Sequence, residues 1–124
     1  MIKLKCLLLE SGVDDIVSNF EKSILTKYPQ LDSFEIYYDG NNNSIFFSDI
    51  NIKKKFRKKG IGSKVLTDVI NFGDKLKLPI VLIPDSDDIP RLINFYKRFG
   101  FVVNSGINKA LNIPNAISMF RLPI

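Results

Sequence analysis

Histidine and tryptophan are absent from this 124-residue sequence, and cysteine occurs once, at Cys6. Without histidine, imidazole-based catalysis and most transition-metal sites are excluded. A lone cysteine rules out an internal disulfide and a cysteine-based zinc site, which fits a reducing compartment. Its ordinary role is that of a small core hydrophobe. No apolar stretch approaches the roughly 20 residues needed to cross a bilayer. The apolar start, Met1 to Leu9, is too short for a signal core and is closed by Glu10, so a first β-strand of a cytoplasmic protein is expected. No repeat, low-complexity tract or linker interrupts the sequence, and its length suits one domain over residues 1–124.

What is present is the balance of a globular protein, with 45% apolar and 25% charged residues. The net charge is +5, and it is concentrated. Lys53, Lys54, Lys55, Arg57, Lys58 and Lys59 fall in one stretch broken only by Phe56. Such a surface suits a polyanion: a nucleic acid, a membrane or a phosphate-rich cofactor.

Residues 3–9 read as a strand. Ser11 with Asp14 three residues on has the form of a capping box, and Val13, Ile16, Val17, Phe20 and Ile24 recur at helical spacing up to Tyr28-Pro29. Residues 34–38 and 44–52 form a hairpin around Asp39-Gly40-Asn41-Asn42-Asn43. An amphipathic helix over 63–76 comes next, marked by Val65, Leu66, Val69, Ile70 and Leu76. Pro79 to Pro84 encloses a short apolar run suited to a central parallel strand. A helix starts within Asp85 to Pro90, with Leu92, Ile93, Tyr96 and Phe99 on its apolar side. Gly100 is its left-handed cap, with Phe101 folding back. Residues 101–103 and 116–122 are the last strands. The order β-α-β-β-α-β-α-β-β predicts an α/β fold, a mixed sheet with helices on both faces and a right-handed βαβ unit over 44–83 at its centre.

Strand 44–52 passes to the next helix through Gly60 and Gly62. The first N–H groups of a helix lack internal partners and sit at the positive end of its dipole, so this turn is an anion site. It is neither a Walker A loop nor a dinucleotide fingerprint, because Val65 stands where the third glycine would be. Arg57-Lys58-Lys59-Gly60-Ile61-Gly62 instead resembles the Gln/Arg-x-x-Gly-x-Gly/Ala pattern of the GNAT superfamily. Phe95-Tyr96-Lys97-Arg98-Phe99-Gly100-Phe101 is similar to its second signature, Phe-Tyr-x-x-x-Gly-Phe. The resemblance runs from about Ser44 to Val103.

The resemblance implies an acetyl-CoA-dependent N-acetyltransferase. Strands 44–52 and 79–83 would splay at their C-terminal ends and admit pantetheine against the backbone of Asn51 and Ile52. The pyrophosphate would rest on Arg57, Lys58, Lys59, Gly60, Ile61, Gly62 and Ser63. Backbone N–H groups would polarise the thioester carbonyl. A neutral primary amine would attack directly in a ternary complex, Tyr96 would protonate the leaving thiolate, and Asp49 is the candidate base, with Glu35 behind it. Asp49 is expected to alternate with Phe47 and Asn51 on one face of its strand. No metal is required. Departures are Ile89, where many relatives place an asparagine, and a shortened N-terminal half, with two antiparallel strands ahead of the phosphate turn instead of three. That half normally shapes the acceptor site, so the amine stays unnamed; Asp49, Asp87 or Asp88 would favour a cationic one. GNAT-like proteins often dimerise, so a homodimer is a further expectation. A non-catalytic acyl-CoA-binding module and a basic nucleic-acid-binding protein are the alternative readings. Nucleic acid ranks last, since the aromatic residues fall on core faces.

Overall fold

The computed structural model describes residues 12–84, 89–104 and 118–124. The first expected strand, 3–9, the acids at 85–88 and the start of the last strand lie outside them. The described chain forms helix α1 (Val13–Lys27), strands β1 (Leu31–Asp39) and β2 (Ser44–Ile52), and a 3₁₀ turn (Lys54–Phe56). Then come helix α2 (Ile61–Leu76), strand β3 (Ile80–Leu82), helix α3 (Ile89–Lys97) and strands β4 (Val102–Val103) and β5 (Met119–Arg121).

Helix α1 buries Val17 and Ile24, and it ends where Tyr28 N–H reaches Ile24 O at 2.9 Å, just before Pro29. Its N-cap is Gly12 and Asp14 lies in the first turn, while Ser11, the other half of the expected capping box, lies outside the described residues. The hairpin turn is built from side chains. Asp39 accepts from Asn41 N–H and from Asn42 Nδ2, and Asn43 takes a left-handed φ of 48°. Asparagine tolerates that conformation better than most residues.

The strands form one five-stranded sheet in the order β1-β2-β3-β5-β4. β2 and β3 are parallel, as expected for the central βαβ unit, and β5 inserts antiparallel between β3 and β4. Ile45 and Phe47 of β2, Ile80 and Leu82 of β3 and Met119 of β5 alternate onto one face, where they join the main core. Helices α1 and α2 supply Val17, Ile24, Val65, Leu66, Val69 and Ile70 to it, and α3 packs Ile93, Phe95 and Tyr96 against it, with Phe99 from the turn that follows. The other face groups Phe46, Val81 and Phe120, all from strands. Among the described residues the helices therefore cover one face, not two. The reason is topological: both crossovers, β2-α2-β3 and β3-α3-β4, progress in the same direction across the sheet, and right-handed crossovers of that kind put their helices on the same side.

Close contacts fix these layers. A Cβ on Gly73 would lie 2.8 Å from Ile80 Cδ1, so α2 sits as near to β3 as a glycine permits. Helix α3 ends in a Schellman motif at Gly100, φ 91°, with Phe101 N–H reaching back to Tyr96 O at 3.3 Å and Gly100 N–H to Lys97 O at 3.1 Å. Arg121 joins the helix ends. Its Nη1 donates to Asp74 Oδ1 on α2 at 2.8 Å and its Nε donates to Phe99 O after α3 at 3.1 Å.

Candidate functional site

The site begins where β2 outlasts β3. Parallel pairing covers only Ile45–Ile80, Phe46–Val81 and Phe47–Leu82, and Ser48 to Ile52 run on without a β3 partner. The pairing ends there at the C-terminal ends of the parallel strands, which is where α/β sheets bind ligands. This is the expected splay. At its root β2 carries an irregularity that the sequence did not announce. Ile36 pairs with Phe47 and Glu35 with Asp49, so Ser48 is left over as a β-bulge. A bulge disturbs the ladder and re-aims the side chains beyond it.

The bulge changes which side chains share a face. Ile50 and Ile52 pack against the helix-covered core together with Phe47, three and five residues before them. Asp49 and Asn51 therefore point to the opposite face. Strict alternation would have put Asp49 beside Phe47; the extra residue corrects that expectation, while Asp49 and Asn51 stay together. Asp49 is held there. Its Oδ2 accepts from Ser33 Oγ at 2.5 Å, its Oδ1 accepts from Asn51 Nδ2 at 3.1 Å, and Asn51 Nδ2 also donates to Ser33 Oγ at 3.0 Å. Ser33 comes from β1, and nothing local in the sequence marks it, because its partner is sixteen residues away. Glu35 stands opposite Asp49 in the ladder.

After Ile52 the basic run folds over the end of β2. Arg57 Nε donates to Ile52 O at 2.9 Å, which ties the turn to the strand it leaves. Lys58 and Gly60 take left-handed φ values of 62° and 80°. Gly60 is the N-cap of α2, so the helix starts at Ile61, two residues before the expected 63. The first intrahelical bond is Lys64 N–H to Gly60 O at 3.1 Å, and no side chain caps the end. The N–H groups of Ile61, Gly62 and Ser63 thus face outward from the positive end of a sixteen-residue helix. No atom lies within 4 Å of where a Cβ on Gly60 would be, so the approach is open. Gly62 stands against Ile52, whose Cδ1 would be 3.6 Å from its Cβ. Arg57 and Gly62 thus both meet Ile52 at the end of β2, with Lys58, Lys59 and Gly60 exposed and Ser63 partly exposed beside them, whereas Ile61 is buried and the Asn51 side chain is held on the opposite face by Ser33 and Asp49. Orphan N–H groups, an open glycine and exposed cations are the donor set that a diphosphate requires.

Tyr96 lies in the last turn of α3, packed edge-on against Phe95 and Phe101 with ring centroids 5.3 and 5.8 Å away. It is half-buried, and burial raises its hydroxyl above the ordinary tyrosine pKa, keeping it protonated at neutral pH. Among the described residues that hydroxyl has no hydrogen-bond partner. Tyr96 sits on the helix side of the sheet and Asp49 on the other. Ile89 opens α3. Asp87 and Asp88 lie outside the described residues. Among the described residues no group of acidic or thiol side chains could hold a metal ion, and no helix is long and apolar enough to cross a membrane.

Residues 30–101 match the sequence profile of the Acetyltransferase (GNAT) family. No curated protein matches the chain. Among solved structures, nourseothricin acetyltransferase superposes with a TM-score of 0.51 at 18% identity, covering 72% of this chain and 55% of its own. Ard1 from Thermoplasma volcanium gives 0.52 at 16% identity over 83% of this chain and 77% of its own. Arabidopsis thaliana Naa50, in complex with the bisubstrate analogue CoA-Ac-MVNAL, gives 0.50 at 21% identity over 72% and 62%. At these identities the likeness is one of fold. The chain spans about half the length of the nourseothricin enzyme.

Proposed function

The chain belongs to the GNAT acetyltransferase family, and from that premise we propose that it transfers an acetyl group from acetyl-CoA to a primary amine by direct attack in a ternary complex. One observation carries the reading. The open, left-handed Gly60 heads α2 directly beside a β2 segment, Ser48 to Ile52, that has no β3 partner. A diphosphate on the helix end and an amide-bearing arm along the free strand edge are compatible with one ligand of the length of acetyl-CoA.

In this reading Ile61, Gly62 and Ser63 N–H groups hold the pyrophosphate, with Arg57, Lys58 and Lys59 as counter-charges. The backbone of Asn51 and Ile52 binds pantetheine, and the bulge at Ser48 turns backbone N–H groups toward the thioester oxygen, where negative charge develops. The amine nitrogen attacks the thioester carbon, a C–N bond forms, and the C–S bond breaks. The ammonium proton leaves through Asp49, directly or through water, and the thiolate takes the Tyr96 proton. Acid and base act from opposite faces of the sheet, so neither blocks the other. Homodimerisation and cytoplasmic location belong to the same reading. Ile89 favours a second one, a domain that binds acyl-CoA without turnover.

Saturating acetyl-CoA should raise the melting temperature. Ligand at about 100 times its Kd adds about 2.7 kcal/mol, or about 10 °C for a chain of this size. Gly60→Val should abolish the shift, because a β-branched side chain cannot hold φ 80° and would fill the approach. An unshifted wild-type melt would sink the proposal. Binding without acetyl transfer to any of a broad amine panel would select the second reading.

A further inference from the structure

Helix α3 carries Tyr96, yet its own packing does little to fix it. No side chain of this nine-residue helix is fully buried, whereas α2 buries six residues. The Tyr96 hydroxyl has no hydrogen-bond partner among the described residues, so its place is set by the ring and by the backbone that bears it. The ring leans on Phe95 of the same helix and on Phe101 beyond its end. The backbone is tied at that end too: Tyr96 O accepts from Phe99 N–H at 2.9 Å and from Phe101 N–H at 3.3 Å. A shift of residues 99–101 is therefore a shift of Tyr96.

Arg121 holds this end. It stands on β5 opposite Ile80 of β3 and is buried. Its Nε donates to Phe99 O at 3.1 Å. Its other two nitrogens face the Asp74 carboxylate of α2, Nη1 to Oδ1 at 2.8 Å and Nη2 to Oδ2 at 3.5 Å. The whole planar fork is engaged, an arrangement that only arginine offers. The side chain runs along Gly100, where a Cβ would lie 3.3 Å from Arg121 Nε. The cation also sits at the negative ends of the α2 and α3 dipoles. Ile124 N–H donates to Asp74 Oδ1 at 3.1 Å and Lys77 Nζ donates to Ile124 O at 3.0 Å, so the last residue closes over the carboxylate.

Asp74 alone would neutralise Arg121. The bond to Phe99 O is additional, and it joins the least buried helix to the middle of the sheet. We infer that Arg121 is a positioning residue, holding the end of α3 through Phe99 O so that the Tyr96 hydroxyl stays against the leaving thiolate. This rests on the proposed reading for the role of Tyr96. Asp74 stands near the opposite end of α2 from Gly60, about 20 Å along the helix, so Arg121 lies away from the cofactor turn.

The test uses Arg121→Lys in the intact protein. Lysine keeps a cation for Asp74, but one ammonium cannot span Asp74 and Phe99 O as the fork does. A fall in kcat of about tenfold is expected, inside the about 100-fold that a misplacement of about 1 Å can cost. The acetyl-CoA melting shift, measured from the variant's own unliganded melt, should equal that of the wild type. In a Tyr96→Phe background the same substitution should leave kcat almost unchanged, because the hydroxyl it positions is gone. Asp74→Asn, which leaves Arg121 without its counter-ion, should lose rate in the same Tyr96-dependent way. NMR of tyrosines isotopically labelled at Cζ gives a readout without turnover. The Tyr96 line, identified as the one absent from Tyr96→Phe, should shift or broaden in Arg121→Lys. An equal rate loss in both backgrounds, a reduced acetyl-CoA shift or an unmoved Tyr96 line would each overturn the inference and leave the proposed function standing. Tyr96→Phe at the wild-type rate would instead remove the acid, and the inference with it.

Discussion

Replacing Tyr96 with Phe removes one oxygen from a ring that stays wedged between Phe95 and Phe101. The structure sets the size of the effect. The hydroxyl has no partner among the described residues, so no hydrogen bond is lost, and stability should change by less than about 0.5 kcal/mol. The effect on rate is separate. A phenol and a thiol differ by about 1.5 pKa units, so handing the Tyr96 proton to a fully formed thiolate runs uphill by about 2 kcal/mol. Burial raises Tyr96 further and widens that gap. The group is thus always charged with its proton at neutral pH but is a weak driver, which places the loss at the low end of the about 10²–10⁴ range for acid–base catalysis. A fall in kcat of about 100-fold, about 2.7 kcal/mol, is expected on the best amine of a panel, with the acetyl-CoA melting shift preserved. Because the folded pKa lies above the ordinary value of about 10, no alkaline limb assignable to Tyr96 should appear below that pH. Stopped thiol release on matched samples, with a melt on each, reads all three quantities. A Phe variant with wild-type kcat would refute the assignment of Tyr96 as acid. A stability loss above about 1 kcal/mol would show instead that its hydroxyl serves packing.

Asp74→Asn should cost about 2 kcal/mol in urea unfolding, less than the 3–5 kcal/mol of a fully buried pair, because Asp74 remains 24% exposed while Arg121 is left at 9% without its counter-ion. The hydrogen bond from Arg121 holds the Asp74 carboxyl below its ordinary range. Its contribution is therefore complete above the unfolded value of about 3.9 and is lost as pH falls through the lower folded value; a wild-type acid limb identical to that of the Asn variant would contradict this. Gly73→Ala should destabilise by about 1–3 kcal/mol despite the better helix propensity of alanine, since the new methyl would overlap Ile80 Cδ1 and Cγ1 at 2.8 and 2.9 Å. A raised melting temperature would mean that β3 can move away from α2.

The sequence by itself determined the parts of this protein that rest on local chemistry. Periodicity located α1, α2 and α3, the prolines bracketed β3, and Gly100 announced the left-handed tail of α3, whereas the left-handed Lys58 and Gly60 ahead of α2 emerged only in the structure. The turn proposed to hold the pyrophosphate is legible for the same reason, because its backbone N–H groups are consecutive, and contiguity in sequence is contiguity in space. The tertiary structure decided what depends on register and on the order of strands. One extra residue at Ser48 moves Asp49 off the face of Phe47, and neither residue type nor spacing signals a bulge, since its cause is the pairing with β1. Ser33 reaches Asp49 only through that same pairing. The helices lie on one face because both crossovers, β2-α2-β3 and β3-α3-β4, run the same way across the sheet, and that strand order, with β5 paired to β3 and β4, is a matter of long-range pairing that no local window of sequence contains.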